Sequence, residues 1–184
     1  CRIIENDKTG KERYELSRKN LQEWQKHQIL RRSNQPGIYA YTQTYTVDGH
    51  QRTRLGISCI LRLEPFNKGV VIPHERTLSG PKEDRLELLR HTNTHFGQIF
   101  FLYEDTELTM NHLLEPVLSQ PPLIFVHDLN GFDHKMWEIT DPAIINAYTR
   151  LMTKKKLYIA DGHHRYETAL AYSEEVRKRA SSPI

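Results

Sequence analysis

Asp48-Gly49 divides two strand-like stretches and restricts the fold more than any other pair of residues in the chain. Asp-Gly is favoured where a two-residue turn needs positive φ at both positions, so the flanking chain doubles back as an antiparallel hairpin. The incoming stretch, Ile38–Val47, is rich in Tyr, Thr and Val, which suit a pleated, half-buried surface. On the return, Leu55, Ile57, Cys59, Leu61 and Leu63 share one face of a predicted strand, and Arg54, Ser58 and Arg62 fall on the other. Asn130-Gly131 marks a second hairpin, between a strand at Leu123–His127 and its return through Phe132–Ile139.

Helical patterns lie between and around these hairpins. Ser17 is expected to cap a helix with Leu21, Trp24 and Gln28 on one side, closing near Leu30. Pro81, with Glu83 and Asp84 in the first turn, starts a second helix through Leu86 and Leu89. Glu107–Leu118 reads as a short helix, and Asp141-Pro142 supplies both the cap and the first-turn proline for another, ending near Lys154. A last helix places Tyr166, Ala169, Leu170, Ser173 and Val176 on one face. Gln98–Tyr103 and Leu157–Ala160 read as strands, the first of them buried, and Glu64–Gly80 as a loop holding the short apolar run Val70-Val71-Ile72. Interleaved elements with at least two hairpins predict an α+β fold, a mixed and largely antiparallel sheet with flanking helices.

The chain has 184 residues, 38% of them hydrophobic, enough for one core or two small ones. It opens at Cys1 without a methionine and stops just past a helical pattern, so the expectation is a single domain with its core at 35–176, or a fragment of a longer chain. With 26 basic against 23 acidic residues, and dense basic runs only at Lys154-Lys155-Lys156 and Arg177-Lys178-Arg179, which read as solvated helix ends, a nucleic-acid partner is disfavoured. No apolar run approaches the roughly 20 residues that a membrane span requires. Cys1 and Cys59 form no metal or redox spacing, and a reducing cytoplasm is the expected setting.

The chemistry concentrates where the strand Leu157–Ala160 runs into Asp161-Gly162-His163-His164-Arg165. Backbone N–H groups at a helix start are unpaired and carry partial positive charge, so they attract anions. Gly162 allows close backbone approach, Arg165 can fork onto phosphate oxygens, and His163 and His164 add donors. Asp161 either caps the helix or holds a metal carried by the phosphates. A plainer reading makes Asp161 a cap and leaves the His-His-Arg run facing solvent. A shared metal on His163 and His164 is disfavoured, because adjacent helical residues diverge by about 100°.

Two further groups extend the candidate site. His74-Glu75-Arg76-Thr77 follows the apolar run, and its Glu and His could act as a general base and an orienting partner, although loops often hold such residues. On the next helix Arg85 is expected to reach the site, whereas Arg90 is expected to pair with Glu87 or solvent. His91 and His95 have metal spacing but no evident third ligand. The common phosphate loop, the protein-kinase signatures, the zinc-protease helix motif and the nucleophile-elbow motif are all absent.

In their order, Ile72-Pro73-His74-Glu75-Arg76-Thr77, Glu83-Asp84-Arg85-Leu86, Trp137-Glu138-Ile139-Thr140-Asp141-Pro142 and Tyr158–Tyr166 resemble the domain-of-unknown-function family 1015 over roughly Gln35 to Val176. Arg76 departs from the lysine expected there. The Asp161–Arg165 turn further resembles the phosphate-binding turn of the ParB/sulfiredoxin fold, including its free-serine kinases. The resemblance implies nucleotide binding at Gly162, His163, His164 and Arg165, with Arg76, Thr77 and Arg85 nearby. It also implies ATP or ADP with Mg²⁺ as cofactors, and phosphoryl transfer to a small hydroxyl compound, free serine leading. Glu75 becomes the candidate base, with His74 and Asp161 beside it and Asp161 the candidate metal ligand. Two alternatives stay open: a ParB-like nucleic-acid-associated or regulatory nucleotide-binding module, and a metal-dependent hydrolase using His74, His163, His164 and Asp161.

Overall fold

The structure, a computed structural model, describes residues 10–75 and 79–181. Its described elements are five α-helices and seven strands in an α+β arrangement, as the hairpins and interleaved helices require. By internal contacts the chain divides into two compact units. One comprises Cys1–Arg32, Leu63–Leu102 and Lys156–Ile184, the other Ser33–Arg62 and Tyr103–Lys155. Among the described residues, no helix is long and apolar enough to cross a membrane.

The second unit is built on the predicted hairpins. β1 (Ile38–Val47) and β2 (His50–Ser58) pair antiparallel from Val47↔His50 to Tyr39↔Ser58. Asp48 and Gly49 between them have φ of 51° and 74°, the positive values that the turn demands. β5 (Ile124–His127) and β6 (Asp133–Ile139) form the other hairpin, and β6 also pairs with β1, giving an antiparallel sheet in the order β2-β1-β6-β5. On one face Ala40, Trp137 and Ile139 bury against Leu114 of α3 (Thr109–Leu118) and Ile144 and Ile145 of α4 (Pro142–Met152). Trp137 is anchored there by its indole N–H, which donates to the Gln120 carbonyl at 2.8 Å. Asp141 caps α4 as predicted, its carboxylate accepting from the Ala143 N–H at 2.8 Å.

The first unit holds a three-stranded sheet in the order β3-β7-β4, formed by β3 (Val71–Ile72), β4 (Phe100–Leu102) and β7 (Leu157–Asp161). β3 runs parallel to β7, and β4 antiparallel to it. Three helices complete the unit: α1 (Glu12–Lys26) packs on α2 (Ser79–Thr92), which packs on α5 (His163–Ser181). At the centre Tyr166 is fully buried, its ring stacked on Phe66. Its hydroxyl donates to the Glu64 carbonyl at 2.8 Å and accepts from the Glu64 N–H at 3.0 Å. That bridge ties α5 to the segment entering β3.

Several local expectations change. Ser17 caps nothing: α1 begins at Glu12, and Ser17 is buried inside it with its hydroxyl donating to the Arg13 carbonyl. The run Val70-Val71-Ile72 is not merely part of a loop, because Val71 and Ile72 find a partner in β7 that local pattern could not reveal. β4 is shorter than Gln98–Tyr103, and as an outer strand it leaves Phe100 and Leu102 well exposed. β2 ends at Ser58, so Cys59, Leu61 and Leu63 lie beyond the face their alternation suggests.

The β5–β6 turn carries its own acid sensitivity. The Asp128 carboxylate accepts the Phe132 N–H at 2.8 Å and the Asn130 N–H at 2.9 Å, with His134 Nε2 at 3.2 Å. The Phe132 bond, helped by His134 and Asn130, pulls its pKa from the ordinary 3.8 to about 2. A depressed carboxylate contributes stability above its unfolded value and loses it as pH falls through the folded one. Acid unfolding monitored by circular dichroism is therefore expected to lose stability from pH 3.8 down to about 2. In Asp128→Asn that limb should flatten; an unchanged acid profile would show that the turn bonds do not carry it.

Candidate functional site

The parallel pairing of β3 with β7 assembles the site. Val71 aligns with Leu157 and Ile72 with Tyr158, so both strands release their chain at the same end of the sheet. β3 delivers Pro73-His74-Glu75 there, and β7 delivers Asp161-Gly162 and the start of α5. Residues nearly ninety apart in sequence thereby meet.

At the meeting point His163, the first residue of α5, is 2% exposed. Its Nδ1 stands 2.9 Å from Glu75 Oε1, and its Nε2 stands 3.3 Å from the His74 N–H. The His74 ring meets the His163 ring edge-on at 4.5 Å, and His74 Nδ1 lies 2.7 Å from the Ile159 carbonyl oxygen. Backbone partners fix both tautomers. A carbonyl only accepts, so His74 Nδ1 carries the proton that donates to Ile159 and leaves Nε2 with its lone pair in the neutral ring. An amide N–H only donates, so His163 Nε2 accepts, and Nδ1–H donates to the Glu75 carboxylate. Glu75 is half exposed, and its Oε2 has no partner among the described residues.

His74, Glu75 and His163 also form the candidate metal group, with one ligand-type atom of each within 4.8 Å of the others. The tautomers oppose that use. Nδ1 of His163 points a proton, not a lone pair, at the common centre, which leaves His74 Nε2 and Glu75 as ligands. Two protein ligands fall short of the three or four that hold zinc.

The turn itself differs from the expected one. Gly162 has φ of 98°, and its carbonyl accepts the Tyr166 N–H at 3.0 Å, so Gly162 and not Asp161 occupies the capping position of α5. With no side chain at that position, no side-chain oxygen is spent on the first-turn amides. Asp161, 75% exposed, pairs with Arg165 one turn on, and it belongs to no metal-type cluster among the described residues. The Arg165 guanidinium folds back over Gly162 and fills the space through which the backbone was expected to meet a phosphate. Arg165 Nε and His164 Nδ1 are each buried without a hydrogen-bond partner among the described residues.

Of the other candidates, Arg76 and Thr77 lie outside the described residues. Arg85 is exposed on α2 and makes no ion pair or hydrogen bond with another described residue, so nothing links it to His74, Glu75 and His163. Arg90 pairs with Glu87 as expected and also with Glu175. α2 ends at Thr92, so His91 and His95 do not share a helix face. Two participants were not legible: the Ile159 carbonyl, which no side-chain pattern marks, and Gly97, which reads as ordinary loop punctuation between α2 and β4.

A family model described as Protein of unknown function (DUF1015) matches residues 2–183. The chain belongs to the DUF1015 family. No curated protein and no solved structure matches it. This DUF1015 match takes in every motif that suggested the family, including the His74-Glu75 and Asp161–Arg165 segments.

The tautomers give this DUF1015 chain a metal test. Elemental analysis of the purified protein is expected to find zinc, manganese and iron well below one equivalent, and added zinc is expected to leave the melting temperature unmoved. A tightly held stoichiometric ion would require Nδ1 of His163 as a ligand and overturn the proton assignment.

Proposed function

We propose that the protein is a nucleotide-dependent phosphotransferase acting on a small hydroxyl compound, with free serine the leading acceptor and ATP or ADP the donor. The observation that carries this reading is the 2.9 Å contact between His163 Nδ1 and Glu75 at the first residue of α5. It sets an oriented, accessible carboxylate beside a helix start, which is an anion-binding position. Phosphoryl transfer asks little more of a protein than positioning and charge.

The residues fit a phosphate group on the observations already made. Gly162 offers no capping side chain, Arg165 Nε and His164 Nδ1 lack partners among the described residues, and Arg165 supplies a fork of the kind that phosphate favours. In the proposed step Glu75 Oε2 takes the acceptor's hydroxyl proton while the acceptor oxygen bonds to phosphorus and the nucleotide leaves. His163 is a positioning residue, holding Oε1 through Nδ1–H. Magnesium bound with the nucleotide phosphates would neutralise their charge, with the exposed Asp161 carboxylate as the protein group available to it. A reducing cytoplasm, where such nucleotides are held, suits this use.

The clustering of His74, Glu75 and His163 favours a second reading, a metal-dependent hydrolase. Their tautomers weigh against it, and the two readings part in one set of variants. In the kinase reading Glu75→Gln is expected to lower kcat by about 100- to 10,000-fold, the span of a lost general base, with nucleotide affinity nearly unchanged. Arg165→Ala is expected to abolish nucleotide-dependent thermal stabilisation. Turnover retained in Glu75→Gln would remove Glu75 from the base role, and hydrolysis that needs added transition metal would favour the hydrolase.

A further inference from the structure

The four-stranded sheet of the second unit packs Ala40, Trp137 and Ile139 against α3 and α4, so alternation turns Tyr41 of β1 and His134 of β6 to its other face. There the Tyr41 hydroxyl lies 2.6 Å from His134 Nδ1, and His134 Nε2 lies 3.2 Å from Asp128 Oδ2 in the β5–β6 turn. The protons follow from the carboxylate. Asp128 is ionised, because the Phe132 N–H bond and its neighbours pull its pKa to about 2. A carboxylate only accepts, so His134 Nε2 carries a proton and, in the neutral ring, Nδ1 keeps its lone pair. The Tyr41 hydroxyl therefore donates to Nδ1. A hydroxyl nucleophile, an imidazole base and an orienting carboxylate stand in series.

Tyr39 and Tyr45 share this strand and face without sharing the arrangement. Tyr39 bonds to Glu138, and Tyr45 lies under the Arg54 guanidinium. Around Tyr41 the register sets Gly56 on one side and Met136 on the other, with Ile124 beyond Met136 and Val126 beyond His134. A Cβ on Gly56 would meet nothing within 4 Å, so the position next to Tyr41 on β2 is open. Ile124 and Val126 are 48% and 49% exposed, an apolar strip beside the hydroxyl.

We propose that Tyr41 is the nucleophile of an acyl-transfer site, with His134 its base and Asp128 a positioning residue. Its substrate is an activated ester, aryl or thio, whose apolar acyl group lies on Met136, Ile124 and Val126. This activity is separate from the phosphate reading and does not depend on it. As the Tyr41 oxygen bonds to the carbonyl carbon, its proton passes to His134 Nδ1. The bond to the leaving group breaks, and that group departs with the proton. Water then attacks the acyl-tyrosine, giving one proton to His134, which returns it to the Tyr41 oxygen as the acid is released. A tyrosine ester is itself activated, which restricts the donor to leaving groups as good as a phenol.

The test treats the full chain with p-nitrophenyl butyrate, following nitrophenolate release by absorbance and locating the butyryl group by peptide mass spectrometry. Butyryl is expected on Tyr41 and not on Tyr39 or Tyr45, the internal controls. Tyr41→Phe is expected to remove the fast phase of release, and His134→Gln to slow it by about 100-fold or more. Asp128→Asn is expected to lower kcat at least about ten-fold with KM unchanged, a split that a merely structural loss does not give. The butyrate ester is expected to react about three- to ten-fold faster than the acetate, through contact with the apolar strip. Equal labelling of the three tyrosines, labelling confined to lysines, or a wild-type rate in His134→Gln would overturn the proposal. Acetate outpacing butyrate would overturn the apolar acyl class. Where a variant lowers the melting temperature, the comparison of Tyr41 with Tyr39 and Tyr45 in the unaltered protein decides.

Discussion

Two residue pairs, Val71 with Leu157 and Ile72 with Tyr158, hold β3 parallel to β7, and the chemistry depends on them. Had β3 met β7 antiparallel, His74 and Glu75 would emerge at the opposite end of the sheet from Gly162. A two-residue strand has little pairing energy of its own. Its place is secured by what flanks it: the Leu157 N–H donating to the Val70 carbonyl, and the Tyr166 hydroxyl gripping both backbone groups of Glu64. Tyr166 and His163 are three residues apart on α5, hence on one face of the helix. The same face that fixes the entry to β3 therefore receives what leaves it.

His163 shows how a buried imidazole is held from both sides. Its Nε2 is committed to the His74 amide and its Nδ1 proton to Glu75. The ring acts as a strut between a backbone donor and a carboxylate. His74 works the other way round, anchored by Ile159 and offering its lone pair outward. Two histidines in edge-on contact thus hold different protons for reasons of backbone geometry alone.

The hairpins were legible because their information is local. Asp48-Gly49 and Asn130-Gly131 carry their φ requirements in two residues each, and the alternation on either side needs no distant partner. Asp141-Pro142 was legible for the same reason. β3 was not, since a pair of β-branched residues becomes a strand only when another strand accepts it. At the site, residue types that bear chemistry stood out, and the structure brings Glu75, His74 and His163 together. The use of Asp161 did not: capping and ion pairing demand the same residue, and only the bond to Arg165 distinguishes them. Gly97 was invisible because the guanidinium it lies against, that of Arg165, is sixty-eight residues away in the chain.

The indole N–H bond that anchors Trp137 has a practical corollary. The chain has two tryptophans, Trp24 on α1 in the first unit and Trp137 on β6 in the second. Each unit therefore contains one tryptophan, and under excitation too red for tyrosine, replacing either with phenylalanine leaves an emission signal that belongs to the other unit alone. Trp137, buried and bonded to the Gln120 carbonyl, emits from an apolar setting that shifts red when its unit opens. Trp24, less deeply buried, reports on α1. Whether the two units unfold in one cooperative step or in succession is thus written in the colour of the emitted light.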